Sequence, residues 1–308
     1  MSATPLIVVP LDGSEFSEIA LPLAASVSLA MKAGLDLVRV QDPPTLLPSD
    51  ALAPLPIINP EAEAALRQAN TEWLDRVARE LRAKVAVRVR MEMLDGPVGP
   101  AVGEYAHRVG ANLIVLATHG RGGLALTLMG SVASDILRSA RVPVLMVRPK
   151  EGVARPEPRP FEHVLIPLDG SPLSETAIGP ATALLGGARR VTLMEVTSPI
   201  PLDALAMPAP LAMVDPASLA DAVRLSREYL EGIAKLLRAQ GCTVDVRAET
   251  ATSAAAAIAA ALRDTKADLV AMATHGRGAI GRFLLGSVAH AVLRTAEVPV
   301  LLYRPPSL

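Results

Sequence analysis

The sequence has little cysteine, few aromatic residues and almost no net charge. Cys242 is the only cysteine, which excludes a disulfide within the chain and a zinc cage built from several cysteines. Aromatic residues make up 2% of the chain, so few rings are available for stacking on nucleic-acid bases. The formal net charge of −1 provides no attraction to nucleic acid or to an anionic membrane surface. We therefore expect neither of these among the partners.

Long apolar runs and targeting signals are also missing. No uninterrupted apolar segment is long enough to span a bilayer, and residues 1–5 lack the basic and apolar character of a signal peptide. These features predict a cytoplasmic location. With 308 residues, of which 51% are hydrophobic, the chain is long enough for two domains with separate cores.

An internal repeat determines the predicted domain organisation. The letters PLDGS occupy residues 10–14 and again 167–171, and VPVL occupies 142–145 and 298–301. The period is far longer than a solenoid unit, so it indicates a duplicated domain. We predict a first domain at residues 1–149, a proline-rich linker at 150–160 and a second domain at 161–308.

Each copy alternates strand-like and helix-like segments. Apolar runs at 6–11 and 113–116 indicate strands, the first of them buried, and 35–40 is the second strand. The alternating pattern at 85–93 indicates a strand at the edge of a sheet. Strands that alternate with helices predict a parallel sheet. Proline-rich segments at 41–59 and 199–216 are too long to be simple connections and are expected to order when a ligand binds.

Two helices of the first copy carry specific expectations. The pattern over 14–33 predicts one helix that bends at Pro22. Asn59 and Pro60 predict the cap and first residue of another helix. Its core-facing side is expected to carry Leu66, Trp73, Val77 and Leu81.

A glycine-rich stretch separates the fourth strand from the next helix in both copies. The letters ATHGRG occupy 117–122 and 273–278, and each stretch leads on to Gly-Ser, at 130–131 and 286–287, after the same spacing. A strand, a glycine loop and a helix N-terminus together present backbone N–H groups to a phosphate. We expect a side chain at either Gly130 or Gly286 to crowd that phosphate. The loops also contain His119, Arg121, His275 and Arg277. These side chains either touch the phosphate or are merely exposed.

Asp12 follows the first predicted strand and Gly120 follows the fourth. If those strands are neighbours, both motifs face the crevice where chain direction reverses, and Asp12 could accept hydrogen bonds from a ribose. The alternative is that the segment 12–14 only forms a turn and caps the next helix. Because both motifs occur in both copies, the ligand interpretation is favoured.

Other nucleotide-binding and catalytic signatures do not occur where they would be needed. No G-x-G-x-x-G follows the first strand, and G-x-x-x-x-G-K-[ST] occurs nowhere, which argues against a dehydrogenase or a Walker-type ATPase. No Ser-His-Asp grouping or carboxylate pair can be placed together from the sequence. We identify no catalytic constellation.

The motifs resemble those of the universal stress proteins in their tandem two-domain form. The resemblance rests on PLDGS, THGRG, the spaced Gly-Ser and VPVL, and it covers nearly the whole chain twice. It implies an α/β fold with two repeated domains, each a five-stranded parallel sheet flanked by helices (a nucleotide-binding α-hydrolase-like sandwich). In many members of the family it also implies an ATP site.

By position, the resemblance implies that Asp12 and Asp169 hold the ribose. The backbone of Val40 and Val196 would meet the adenine. The residues around the phosphates would be Gly120, Gly130, Ser131 and Val132, with Gly276, Gly286, Ser287 and Val288. The candidate set is completed by Pro10, Pro167, Ala117 and Ala273. These two alanines replace the first glycine of the family pattern, and the added methyl is tolerable unless the position needs a positive φ.

The resemblance also implies ATP as the cofactor, with Mg²⁺ as the nucleotide-bound ion and slow hydrolysis at most. It implies a pseudo-dimer of the two domains through their last strands, 142–147 and 298–303, and leaves open a homodimer and an unidentified protein partner. Two functions remain: an ATP-binding module of stress response, and a nucleotide-independent interaction protein with eroded sites. The presence of the aspartate and Gly-Ser in both copies favours the first.

Overall fold

The computed structural model describes residues 4–41, 60–118, 130–148, 160–199, 216–274 and 285–305. The chain divides into two compact units, Met1–Arg159 and Pro160–Leu308, and each contains one copy of the repeated motifs. The expectations for the proline-rich loops, the Asn59 cap and the residues just after 118 and 274 fall outside the described residues, apart from the loops' ends. Among the residues described, no helix is long and apolar enough to cross a membrane.

The first unit alternates strands and helices from its first strand to its last. Its elements are β1 (Leu6–Pro10), α1 (Glu15–Glu18), α2 (Ala20–Met31), β2 (Gly34–Gln41), α3 (Pro60–Arg82), β3 (Val89–Asp95), α4 (Val98–Arg108), β4 (Leu113–Ala117), α5 (Ser131–Ser139) and β5 (Val144–Val147).

The second unit repeats this order. Its elements are β6 (Phe161–Leu168), α6 (Pro172–Glu175), α7 (Ile178–Ala183), β7 (Leu185–Thr197), α8 (Pro216–Ala239), β8 (Thr243–Thr250), α9 (Ala254–Thr265), β9 (Leu269–Ala273), α10 (Ser287–Thr295) and β10 (Val300–Tyr303).

All strand pairs within each unit are parallel. The first unit has the order β3-β2-β1-β4-β5, and the second has the corresponding order β8-β7-β6-β9-β10. Both sheets are five-stranded and flanked by helices, which confirms the predicted fold class. In each unit the first strand lies between the second and the fourth, so the chain reverses its direction of progress across the sheet there.

The cores are built from the apolar runs that the sequence assigned to strands. Val8, Ile114 and Leu113 in the first unit and Leu165 and Val270 in the second are at most 1% exposed. Central parallel strands have continuous apolar sequences because helices cover the sheet. β3 is the last strand in the order of its unit, and its side chains alternate between sheltered and exposed from Val89 to Met93, which confirms the edge prediction. The strand begins at Val89 rather than at 85.

The helix expected over 14–33 is in fact two helices. α1 ends at Glu18 and α2 begins at Ala20, with Ile19 between them. Pro22 therefore lies in the first turn of α2 and does not bend the middle of a longer helix. A proline ring clashes with the carbonyl four residues earlier, here that of Glu18, so the interruption precedes the proline.

The core-facing side of α3 is shorter than predicted. Leu74, Val77, Ala78 and Leu81 are buried, whereas Leu66 is 56% exposed and Trp73 is half-buried. Residues 60–69 are all exposed, so burial begins only in the second half of the helix. Including Leu66 in the core was wrong.

Two glycines fix the position of α5 against α4. A Cβ on Gly99 would lie 2.5 Å from Cβ of Asp135, and one on Gly103 would lie 2.7 Å from Cβ of Ser139. Real Cβ atoms do not approach that closely, so the helices can only cross here because both positions lack side chains. This contact packs α5 against α4 from Asp135 to the end of the helix at Ser139.

Candidate functional site

The motifs singled out in the sequence lie at the ends of neighbouring strands. β1 pairs directly with β4 through Ile7 and Leu113, and β6 pairs with β9 through Val164 and Leu269. Because the strands are parallel, Asp12 after β1 and Ala117 at the end of β4 lie at the same carboxyl edge. The condition for a shared crevice is therefore met in both units.

Asp12 organises the turn after β1. Its Oδ1 accepts hydrogen bonds from the backbone N–H of Ser14 at 2.9 Å and from the Ser14 hydroxyl at 2.6 Å. Ser14 in turn caps α1 by accepting from the N–H of Ser17. Asp169 and Ser171 repeat the arrangement at 3.0 and 2.6 Å. The turn-and-cap interpretation is thus realised, but a carboxylate has two oxygens and can accept several donors, so a ribose is still compatible.

Gly130 closes the glycine stretch onto the end of β4. Its N–H donates to the carbonyl of Thr118 at 2.9 Å, and Gly286 donates to Thr274 at 2.7 Å. A Cβ on Gly130 would lie 3.3 Å from the Thr118 oxygen. Gly130 has φ of −60°, so the position needs a small residue rather than a left-handed backbone. The sequence argument that a side chain would crowd a phosphate therefore missed this nearer neighbour.

The start of α5 presents backbone donors. Gly130 is the N-cap and no side chain caps the first turn; Gly286 is the equivalent N-cap of α10. The first intrahelical bond runs from Ser134 to Gly130 at 3.0 Å. The N–H groups of Ser131, Val132 and Ala133 consequently have no acceptor within the helix, and they form the positive end of its dipole. Gly130 itself is not among the donors, because its N–H is already bonded to Thr118.

The remaining candidate residues lie along the same edges. Val40 is the penultimate residue of β2, and Val196 is the penultimate residue of β7. Pro10 ends β1, and Pro167 is the penultimate residue of β6. Gly120 and Gly276 lie outside the described residues.

Ala117 and Ala273, the alanines that replace family glycines, have no positive φ. They end β4 and β9, paired with Val147 and Tyr303. The condition under which alanine would have been harmful is therefore absent at both positions.

Sequence reasoning missed a buried arginine at this edge. Arg39, near the end of β2, is only 7% exposed, and its guanidinium lies 4.8 Å from the centre of the Trp73 ring on α3. The neighbouring Val38 accepts a bond from Leu11, so Arg39 lies beside the Asp12 turn. A charged residue within the apolar run of β2 was the available signal.

The second unit has the opposite charge at the equivalent position. Glu195 on β7 lies opposite Leu168, the residue before Asp169, and is 9% exposed. On α8, Tyr229 donates to Glu175 at 3.0 Å. Burial, then the bond to Glu175, with a further contribution from the charge of Glu195, raises the pKa of Tyr229. Two carboxylates therefore act on one phenol beside the Asp169 turn.

No grouping of three or more His, Cys, Asp or Glu side chains that could hold a metal ion occurs in the described parts of the chain. The geometry is that of two similar edges, each with a backbone donor set, a carboxylate in a turn and one buried charge nearby. Such an edge can bind an anionic group next to a hydroxylated one.

Comparison with known proteins agrees with the repeat. The model of the universal stress protein family matches residues 5–148 and again 160–304. Universal stress protein Rv2005c of Mycobacterium tuberculosis is 33% identical over 221 residues, which cover 70% of this chain and 69% of the relative. Universal stress protein Rv1996 of the same organism is 28% identical over 97% of this chain and 95% of the relative.

Solved structures show the same fold at lower identity. A universal stress protein from Archaeoglobus fulgidus superposes with a TM-score of 0.66 at 20% identity, covering 97% of this chain and 96% of its own. A putative universal stress protein from Pseudomonas aeruginosa gives a TM-score of 0.60 at 18% identity, with 98% and 94% covered. With the family model matched twice, this chain belongs to the universal stress protein family and carries two of its domains in tandem.

Proposed function

We propose that this chain is a cytoplasmic stress-response protein that binds ATP at the carboxyl edge of each sheet. The observation that carries the proposal is the duplicated placement of an uncapped helix start beside an aspartate turn. In the first unit, α5 begins at the end of β4 and Asp12 follows β1, and these strands are paired. A helix N-terminus favours phosphate and a carboxylate favours ribose hydroxyls, so together they match a nucleotide.

Different groups of the chain would bind the phosphates, the ribose and the base of the nucleotide. The N–H groups of Ser131, Val132 and Ala133 donate to phosphate oxygens, and the exposed hydroxyl of Ser131 adds a donor. Asp12 accepts from the ribose, and the backbone of Val40 meets the base. Mg²⁺ bound to the nucleotide would neutralise part of the phosphate charge.

A substitution that adds a negative charge at the start of α5 tests whether the phosphates bind there. Val132 is 45% exposed, so Val132→Asp adds a negative charge beside the donors without disturbing the core. An Asp there competes for the same N–H groups and repels phosphate. We expect at least a ~100-fold loss of ATP affinity at that site, since each charge-assisted bond contributes roughly 1.5–3 kcal/mol. Gly130→Val would be a poorer test, because its side chain would press on Thr118 first.

Calorimetric titration of the full chain gives the measurement. The wild type should bind two ATP, Val132→Asp and Val288→Asp one each, and the double variant none. Val132→Asn has the same shape without the charge and should bind ATP at least ~10-fold more tightly than Val132→Asp. Leu66→Asp adds the same charge to an exposed position on α3 and controls for net charge.

Two results would contradict the proposal. A folded double Asp variant that binds ATP like the wild type would place the nucleotide elsewhere. A wild type that binds no ATP would favour the nucleotide-independent interaction protein instead.

We also propose that the two domains pair as a pseudo-dimer through β5 and β10. Each is the last strand in the order of its own unit and has an apolar sequence, and an open edge of this kind favours pairing. If they pair, amide exchange should be slow at every non-proline residue of both strands. Rapid exchange at alternate residues would show open edges. A homodimer and a separate protein partner would add to this arrangement rather than replace it.

A further inference from the structure

The two candidate sites carry opposite buried charges at equivalent positions. Arg39 in the first unit corresponds to Glu195 in the second, because Pro10 and Pro167 align and their strand partners are Val38 and Met194. Both side chains are at least nine-tenths buried. The sign of the buried charge is therefore reversed between the two units at this position.

In each unit, the aromatic residue on the neighbouring helix suits the sign of the buried charge. Trp73 and Tyr229 are equivalent in sequence, because each follows the proline that begins its helix by the same number of residues. Trp73 presents its ring to the guanidinium of Arg39. Tyr229 instead donates its hydroxyl to Glu175, with Glu195 close enough to affect the same phenol. An aromatic face suits a cation, and a hydroxyl donor suits carboxylates.

We propose that Arg39 and Glu195 make the two nucleotide sites unequal, so that the first domain holds a polyphosphate nucleotide more tightly than the second. This inference rests on the proposed function and adds a residue pair that sets its selectivity. Among the described residues around the first site, the charged side chains are Asp12, Glu15, Glu18 and Arg39. At the equivalent positions the second site has Asp169, Pro172, Glu175 and Glu195, so it has three acidic side chains and no basic one.

The physical reason is the opposite sign of the two buried charges, Arg39 and Glu195, at one position near the ligand. Both charges are buried beside the turn that precedes the ligand edge, where water screens them less than it screens surface charges. A positive charge attracts phosphates and a negative charge repels them. The effect grows with the charge of the ligand, so it should be larger for ATP than for AMP. If the two sites differed only in shape, the ratio of their affinities would be the same for ATP and for AMP.

The first experiment isolates each site with the blocking variants. Val288→Asp leaves only the first site open, and Val132→Asp leaves only the second. Titration calorimetry on the full chain should give an ATP affinity at least ~10-fold higher for the first site. For AMP the ratio should fall below about threefold. Equal ATP affinities, or the same ratio for ATP and AMP, would overturn the inference while leaving nucleotide binding intact. Absence of ATP binding to the wild type would overturn the proposed function and this inference together.

The second experiment changes the two charges directly. Glu195→Gln, in the Val132→Asp background, should raise ATP affinity of the second site about threefold or more. Arg39→Gln, in the Val288→Asp background, should lower that of the first site to a similar extent. Glu162→Gln, on an exposed residue at the other end of β6, and Arg88→Gln, exposed just before β3, make the same charge changes far from the sites.

The controls decide between a local and a general charge effect. Glu162→Gln and Arg88→Gln should alter ATP affinity less than about twofold. If they act as strongly as Glu195→Gln and Arg39→Gln, the inference is wrong. Circular dichroism checks folding, and because Glu195→Gln removes a charge without removing bulk, it decides the matter if Arg39→Gln fails to fold.

Trp73 offers an independent readout, because it is the only tryptophan in the chain and contacts Arg39. Its emission should follow binding to the first site alone. In the wild type, the emission should change over the same range of ATP concentration as the higher-affinity step of the calorimetric titration. An emission change that follows the weaker step would assign the tighter site to the second domain and overturn the proposed order.

Discussion

The N–H of Gly130 donates to the carbonyl oxygen of Thr118 at 2.9 Å, so the N-cap residue of α5 is bonded to the residue that follows β4. The bond holds the N-cap of α5 against the end of β4. Gly286 and Thr274 form the same bond at 2.7 Å. The donors left for a ligand are therefore the three that follow the glycine.

This bond leads to a prediction for amide exchange. The amides of Gly130 and Gly286 should exchange more slowly than those of Ser131 and Ser287, which have no acceptor within their helices. ATP should slow exchange at Ser131 and its two successors. Residue-resolved exchange measured by NMR, with and without ATP, checks both statements. Equal exchange at Gly130 and Ser131 without ATP would contradict the bonding pattern.

Two glycines in helix interiors should respond in opposite directions to the same substitution. Gly103→Ala would place a Cβ 2.7 Å from Ser139, and we expect a loss of about 2 kcal/mol in the free energy of unfolding. Gly232→Ala on α8 meets nothing within 4 Å. It should gain about 0.5–1 kcal/mol, since alanine favours helix over glycine. Urea denaturation measures both, and a stable Gly103→Ala would show that α5 can move away from α4.

Much of the fold could be predicted from the sequence because its signals are local and occur twice. The apolar run at 113–116 and the Gly-Ser at 130–131 mark the end of a strand and the start of a helix without any tertiary information. The pairing of β1 with β4 could only be assumed, since these strands are separated by two others along the chain. Once that assumption was made, the position of the candidate site followed from the strand order.

The residues that sequence reasoning missed depend on tertiary contacts. Trp73 was assigned to a core face by its spacing, but it stacks on Arg39 because α3 lies over β2. The role of Gly130 was attributed to a ligand, whereas the nearest atom is the Thr118 carbonyl. Periodicity gives the face of a helix, but it does not give what that face meets.

The ion pair between Asp36 and Arg90 should contribute to stability far more than an exposed pair. Asp36 is 1% exposed, and its carboxylate accepts two bonds from Arg90, at 2.7 and 2.6 Å, and one from Tyr105 at 2.9 Å. Arg90→Leu leaves that carboxylate buried without its cation, and we expect a loss of about 3 kcal/mol. Arg67→Leu removes an exposed pair with Asp95 and should lower stability far less than Arg90→Leu does.

A rescue variant separates the charge from the packing. Replacing the carboxylate as well, with Asp36→Leu and Tyr105→Phe added to Arg90→Leu, should recover most of the lost free energy of unfolding, since no buried charge remains. Denaturant midpoints with unchanged slopes provide the comparison. If the triple variant is less stable than Arg90→Leu alone, the cost arises from lost packing and not from the unpaired charge.

His163 should make the second domain sensitive to mild acid. Its side chain is 4% exposed, and its Nε2 lies 2.8 Å from the Thr192 hydroxyl. Burial lowers the pKa of His163, and the charge of Arg190 adds to this against the opposing charges of Asp268 and Asp245. The neutral ring is therefore favoured in the folded state.

The sign of the pH effect follows from that direction. A histidine whose pKa is lower in the folded state than the unfolded value of about 6.5 stabilises the fold fully above that pH and loses this contribution as the pH falls below it. We expect the second domain to lose unfolding free energy through this group as the pH falls from 7 to 5. His163→Gln stays neutral and can still bond to Thr192, so it should remove this part of the acid sensitivity. Urea denaturation of both proteins across this pH range, with exchange at β6 amides to identify the domain, measures the effect, and parallel pH profiles for wild type and variant would exclude His163 as its source.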